Sequence, residues 1–434
     1  MSGPGCHFWL KAASFWRCVG LILCVALHLG TTSEATTVRL AWDANQEEGV
    51  AGYRVYYGTA PDNYPNFVDV GNATEAQVNG LVAGVNYYLT VTAYNSAGLE
   101  SSYSEPLPYR APAAATRARY VGLIGDGESS GQASFRINVS AKGKASGRLM
   151  LGGKQYTLNG VFSQEGILGI TIPRKGGLGS VTLSLTITDA GEGVVGTLTD
   201  GNSSSNAIGK RATLPKGAVK SVHRGRYTAF LAPPDPQHNG GYGYSPFKVS
   251  ATGSFRVAAT LPDGTHCTYA GPIDDANSVP VHIFLAGGKG SIFGRIQFRD
   301  VADESDADGQ ITWVNRNREA MQIAFRGARY AAQPGGSTMG GASISLLPAT
   351  LPSVETILNQ SVPNTFFATS SSGEVINVKV NNPTGMFSGS SLPVVESAQR
   401  FGGIVYQKGG LRGYGRLRDV ANPGAVEITA ATGP

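Results

Sequence analysis

The chain has 434 residues, room for two to four domains, and carries 59 glycines. Only 15% of its residues are charged, and the net charge of +5 is spread without a long Lys or Arg run. No strict three-residue glycine period exists, which excludes collagen, and the diffuse charge makes little case for nucleic acid or an anionic membrane. Residues 1–35 read as a secretory signal peptide: Lys11 and Arg17 precede the apolar run Val19 to Leu29, and Ser33-Glu34-Ala35 offers a small-x-small cleavage site before Thr36. That run, about eleven residues, falls short of the roughly 20 a spanning helix needs. Membrane association is therefore expected only through the leader, if it stays uncleaved. Leu21-Ile22-Leu23-Cys24 has the loose form of a lipoprotein cleavage box, with Leu23 where a small residue belongs. Cys6, Cys18 and Cys24 fall in the leader, which leaves Cys267 without an intrachain partner. Cys267 reads as a small buried residue of a strand, and no Cys/His zinc spacing occurs.

The next segment, 36–110, alternates in the manner of short strands. Trp42 follows VRLA and is expected to plug a core between two sheets. In GYRVYYGT, Tyr53, Val55 and Tyr57 share one face, with Arg54 and Tyr56 on the other. Leu81-Val82-Ala83-Gly84 with Tyr87, then Leu89, Val91 and Ala93 alternating inward, then the turn Asn95-Ser96-Ala97-Gly98, complete the pattern. On these residues the segment is identified as a member of the fibronectin type III family. The resemblance implies an immunoglobulin-like sandwich that carries no chemistry of its own. It also implies a corner in which the Tyr87 hydroxyl ties a late strand to upstream backbone. Ala83 stands where the family often has Pro.

Pro108 to Thr116 is rich in Pro and Ala and gives a linker, placed at 111–118. From 119 to 434 the sequence predicts no helix and many strands. SVTLSLTIT is the clearest, with Val181, Leu183, Leu185 and Ile187 on one face and Thr182, Ser184, Thr186 and Thr188 on the other. Arg-Tyr recurs at Arg119-Tyr120, Arg226-Tyr227 and Arg329-Tyr330, and Arg-Asp-Val-Ala at Arg299–Ala302 and Arg418–Ala421. These repeats predict two or three diverged β units, about 119–220, 221–325 and 326–434, each of about eight strands. The fold class is thus all-β: an N-terminal sandwich, then a large antiparallel region of barrel-like or sandwich units. The region resembles a Gly-rich repeated β domain of large exported bacterial proteins. The likeness lies in Tyr120, Gly122 and Leu123, Leu261-Pro262-Asp263-Gly264-Thr265, Lys289-Gly290-Ser291 and Thr384 to Gly389. It implies fold and location, and no activity is carried over.

Candidate chemistry is sparse. Glu304, Asp306 and Asp308, followed by Gly309, have the spacing that opens a Ca²⁺ loop, so Ca²⁺ is the one cofactor considered. The closing Glu is absent, Asn315 holding that offset, and a solvated hairpin tip is the plainer reading. His223, His238, His266 and His282 show no ligand spacing. No Ser sits in a nucleophile elbow. Asp263, Asp274 and Asp275 are nominal hydrolytic carboxylates that turn capping explains as well. Tyr242 and Tyr244 in HNGGYGYSPF are candidate ligand-binding rings on a mobile loop, and Tyr64 and Phe67 in DNYPNF are candidate exposed rings. The expectation is an exported, non-catalytic surface or extracellular protein: adhesion, polysaccharide or matrix binding, or spacing of modules. Its expected partners are polysaccharide or other surface and matrix proteins, not nucleic acid. A carbohydrate-active enzyme or its accessory module is the alternative. An outer-membrane β-barrel is the second, against which stand the short strands and the ending Ala-Thr-Gly-Pro.

Overall fold

The computed structural model describes residues 35–47, 49–82, 85–111, 117–125, 133–163, 166–188, 191–212, 221–336, 339–392, 398–419 and 423–430. Residues 1–34 of the expected leader, Ala83-Gly84 of the expected corner, the linker core 112–116 and Val420-Ala421 lie outside the described residues, and the leader's last residue, Ala35, opens the first strand. No α-helix occurs among the described residues.

The N-terminal domain is a sandwich. Strands β1 (Ala35–Ala41) and β4 (Glu75–Val82) form one sheet. The other has the order β3 (Asn66–Gly71), β2 (Val50–Gly58), β5 (Asn86–Asn95), β6 (Leu107–Arg110). Trp42, Tyr53, Val55, Leu89 and Val91 fill the space between them, as the alternation requires. Trp42 meets Tyr53 edge to face at 5.6 Å. The Val82 N–H donates to the Tyr87 hydroxyl at 3.0 Å, which closes the corner that the family resemblance implies.

Three eight-stranded barrels follow. Barrel 1 runs β7 (Ala118–Ile124), β8 (Ala133–Val139), β9 (Lys144–Leu151), β10 (Lys154–Val161), β11 (Ile167–Pro173), β12 (Ser180–Thr188), β13 (Gly193–Asp200) and β14 (Ser203–Arg211). It is a meander in which β14 pairs back onto β7, so the sheet curls until only the seam between β10 and β11 lacks a ladder. Barrel 2 repeats the plan with β15 (Gly225–Ala232), β16 (Gly243–Val249), β17 (Ser254–Thr260), β18 (His266–Pro272), β19 (Ser278–Leu285), β20 (Gly290–Val301), β21 (Ser305–Val314) and β22 (Ala320–Arg329). Barrel 3 contains β23 (Ser343–Pro348), β24 (Val354–Ile357), β25 (Asn359–Val362), β26 (Thr365–Thr369), β27 (Val375–Asn381), β28 (Met386–Leu392), β29 (Gln399–Tyr406), β30 (Arg412–Leu417) and β31 (Gly424–Thr429). Here β24 and β25 are one strand bent at the buried Leu358: its first half pairs with β23 and its second with β26.

The barrels fill themselves with side chains. In β12, Val181, Leu183 and Leu185 are fully buried, while Thr182, Ser184, Thr186 and Thr188 face out. A polar outer face over an apolar interior, as in β12, is the reverse of a lipid-facing strand. A backbone signature recurs in each barrel. Gly143, Gly253 and Asn364, all left-handed, offer their carbonyls to Phe162, Ile273 and Val380 at 2.9, 2.8 and 2.8 Å. Gly166, Asn277 and Gly385, also left-handed, do the same for Ile187, Phe298 and Val405 at 2.9, 2.8 and 2.7 Å. Left-handed backbone suits Gly and Asn, so the sequence alternates between them.

Two repeats read from the sequence are not structural equivalents. Tyr120 and Tyr227 lie inward on the first strands of barrels 1 and 2. Arg329, by contrast, ends the last strand of barrel 2, opposite Tyr227, so 326 does not begin a new unit. Arg299 lies on β20, the sixth strand of its barrel, whereas Arg418 follows the seventh full strand, β30.

Candidate functional site

The outer face of the N-terminal sandwich carries a strip of aromatic rings. Register pairs Tyr56 on β2 with Phe67 on β3, and period-two alternation turns both away from the core. Their rings lie 5.4 Å apart at 33°. Tyr103, from the segment before β6, meets Tyr56 edge-on at 5.2 Å, and Tyr64 meets Tyr103 at 5.1 Å. Phe67 is 56% and Tyr103 48% exposed.

Polar neighbours fix the strip. The Arg54 guanidinium lies over the Phe67 ring at 5.6 Å and over Tyr94 at 4.8 Å. It also pairs with Asp69 at 2.9 Å and with Glu100. Glu100 accepts from Tyr56 Oη at 3.0 Å and from Thr92 Oγ1 at 2.7 Å. Burial pushes the Glu100 carboxyl up, but the bonds from Thr92, Arg54 and Tyr56 outweigh it and hold the group below the usual carboxylate range. Asp69 is held low by the Gly71 N–H and by Arg54. Burial and the bond to Glu100 raise the Tyr56 phenol, so it stays protonated and donates. The result is an aromatic shelf with a charged edge, suited to stacking on the apolar faces of sugar rings and bonding their hydroxyls.

The other expected sites are placed differently. Tyr242 and Tyr244 do not form an open stacking face. Tyr244 is 3% exposed, and Tyr242 donates to Glu427 Oε1 at 2.6 Å and meets Tyr414 edge-on at 5.1 Å. Both lie where barrel 3 packs on barrel 2, a contact made by residues more than 150 positions away that local sequence does not announce.

The acidic run does not form a Ca²⁺ cage. Asp306 and Asp308 stand two apart on the extended β21, which carries Asn315 to the far end of the strand, where it caps the next turn through the N–H groups of Asn317 and Glu319. Asp308 accepts from Arg299 Nε at 3.0 Å, and Asp306 accepts from Lys408 Nζ and from the Arg329 N–H, both at 2.7 Å. The Glu304 side chain is exposed, and its carbonyl accepts from Tyr406. Among the described residues no three His, Cys, Asp or Glu side chains surround a common centre.

The nominal hydrolytic carboxylates are spent on structure. Asp263 caps Thr265 at 2.8 Å, Asp274 takes the Ser278 N–H at 2.8 Å, and Asp275 pairs with Arg211 at 2.7 Å. Cys267 lies half-buried on β18 opposite Ala259, and burial raises its thiol to about 11. His238 bonds Asp235 at 2.8 Å, His266 meets Thr260 at 3.0 Å, and His223 meets Asn277 at 3.0 Å. The role of Tyr56 and Tyr103 was not visible beforehand. The signal for Tyr56 was its outward place in GYRVYYGT, one strand from DNYPNF.

Residues 26–110 match the model of the fibronectin type III domain, and the N-terminal sandwich is such a domain. No curated protein matches the chain. Solved structures similar to it include intact Ap-TbpB (N and C lobes), at 12% identity and a TM-score of 0.19, covering 95% of this chain and 99% of that one. A transferrin binding protein B mutant from Haemophilus parasuis Hp5 shows the same identity, TM-score and coverage. Isotype 1 transferrin binding protein B from serogroup B Neisseria meningitidis is 10% identical with a TM-score of 0.18, covering 79% of this chain and 83% of its own. At that similarity the likeness says nothing of what this chain binds.

Proposed function

We propose that this is an exported, non-catalytic binding protein. Its fibronectin type III domain holds a polysaccharide on the aromatic strip, and the three barrels act as a rigid base that presents it at the cell surface. The strip carries the reading: Phe67 and Tyr103 are exposed, and Arg54 and Glu100 fix the adjoining rings. An exposed, preorganised aromatic shelf binds at little entropic cost. The leader-like N-terminus supports export, and the self-filled barrels support a presenting role. An accessory module of a carbohydrate-active system would use the same strip.

The test is a glycan array probed with the purified protein, beside an assay for new reducing ends on the same polysaccharides. Binding without new ends is expected. Phe67→Ala and Tyr103→Ala should each weaken it about tenfold, the value of a lost stacking contact. Release of products, or binding indifferent to both substitutions, overturns the reading.

A further inference from the structure

We infer that the aromatic strip takes a single, neutral, winding glycan chain of the amylose type, and neither a flat crystalline polysaccharide face nor an acidic glycan. The inference rests on the strip being a glycan shelf, and it adds the class of glycan.

The planes of the rings carry the first half. Tyr56 stands between the two exposed rings, inclined 33° to Phe67 and 74° to Tyr103. Phe67 and Tyr103 therefore cannot be coplanar. Tyr64 turns again, at 72° to Tyr103. Successive centroids from Phe67 through Tyr56 and Tyr103 to Tyr64 stand 5.4, 5.2 and 5.1 Å apart, a step about the length of one sugar unit. A crystalline polysaccharide presents its sugar faces in one plane, so only part of this strip can lie on it. A chain that winds turns a fresh face to each ring in succession.

The rings are not free to flatten. Tyr103 comes from a segment pinned along β5: the Ser101 and Ser104 N–H groups donate to the Ala93 and Val91 carbonyls at 2.8 and 3.0 Å. In return, the Ala93 and Val91 N–H groups donate to Ser101 Oγ and Ser104 Oγ at 3.0 and 2.9 Å. Thr90 and Thr92 face outward between the inward Leu89, Val91 and Ala93, yet they are 1% and 2% exposed. Thr90 Oγ1 donates to the Ser104 carbonyl at 2.8 Å, and Thr92 Oγ1 to Glu100 at 2.7 Å. The twist of the strip is thus built before any ligand arrives, which favours a chain that already has it.

Charge carries the second half. Arg54 is the cation among the groups that fix the strip, and its fork is taken by Asp69 and Glu100. Both carboxyls are held below their ordinary range and stay ionised at neutral pH. One guanidinium against two carboxylates leaves the edge with an excess of negative charge, which repels an anionic sugar and leaves a neutral one untouched.

The experiment titrates the full chain with maltohexaose, with cellohexaose as the flat neutral chain and with hexagalacturonate as the acidic one, and sediments it with microcrystalline cellulose. Maltohexaose should bind at least about tenfold more tightly than either other oligosaccharide, the value of a lost stacking contact. The cellulose pellet should hold no more of the parent than of Phe67→Ala. Added salt should leave maltohexaose binding unchanged and ease that of hexagalacturonate. Tyr103→Ala removes the ring that turns the strip, so it should weaken maltohexaose about tenfold and leave cellohexaose almost unchanged. The comparison of ligands on the unaltered chain holds whether or not that variant folds. Failure to bind maltohexaose, or strip-dependent binding of cellohexaose, cellulose or hexagalacturonate at equal strength, overturns the inference and leaves the shelf itself to the glycan array. Binding of every probe unmoved by both Phe67→Ala and Tyr103→Ala overturns the shelf and this inference together.

Discussion

His282 shows how one side chain ties pH to the joint between barrels. It lies on β19 at 6% exposure, with Nδ1 3.1 Å from Ser134 Oγ of barrel 1 and its ring against Phe284 and Phe293. Nε2 is buried without a partner, and burial lowers the imidazole from 6.5 to about 4. The unfolded chain takes up this proton near 6.5 and the folded chain only near 4, so stability falls as pH drops through that window. The loss approaches about 3 kcal/mol at its acid end. Urea midpoints at pH 7.5 and 4.5 measure it, and His282→Leu should flatten the difference. The sequence showed a His in a strand-like segment. It could not show the hydroxyl from another barrel, nor the rings that exclude water.

Strands and turns were the most legible elements. The alternation of β12 and of β2 named their inward residues because a sheet with one buried face leaves a period-two record. The repeat was harder to follow, since a left-handed turn accepts Gly or Asn: Gly143 and Gly253 align by eye, and Asn364 does not. Glycines within strands record something else. Gly196 on β13 lies against Ser184 of β12, and a Cβ there would collide with the Ser184 carbonyl oxygen. The close approach lets the sheet bend into a barrel. Gly196→Val should destabilise barrel 1 by about 3 kcal/mol or more, seen as an early first transition in calorimetry. The candidate strip was half legible. Tyr64 and Phe67 stood out together, yet Phe67 is exposed and Tyr64 half-buried; Tyr242 and Tyr244 looked the same, and there Tyr242 is half-buried and Tyr244 buried. Local sequence records ring content, while exposure is decided by what packs from afar.

At the scale of the whole molecule, neighbouring barrels are joined through their walls. Between barrels 2 and 3 the joint is aromatic. Phe230 stacks on Tyr414 at 4.0 Å and meets Tyr406 edge-on at 5.0 Å, and Arg416 Nε donates to the Pro262 carbonyl at 2.8 Å. Lys408 bridges from barrel 3 to Asp300 and Asp306 of barrel 2. Phe230→Ala with Tyr414→Ala should cost about 3 kcal/mol at the joint, so that barrel 3 melts apart from barrel 2 where the parent melts with it. Barrels 1 and 2 each turn their first strand to the next barrel. Val121 and Leu123 lie outside the core of barrel 1 yet are 2% and 9% exposed, where β19 packs across β7, as β29 packs across β15. Barrel 3 instead turns Ser343, bonded to Glu355, and Ser345 outward from its first strand, beside the half-buried Leu347. An adhesive wall repeated without change would keep recruiting further barrels, the geometry by which protein fibres grow. On the first strand of barrel 3, Ser343 and Ser345 take the place of an apolar pair such as Val121 and Leu123 in barrel 1, so this wall can satisfy itself by hydrogen bonds without a further apolar neighbour.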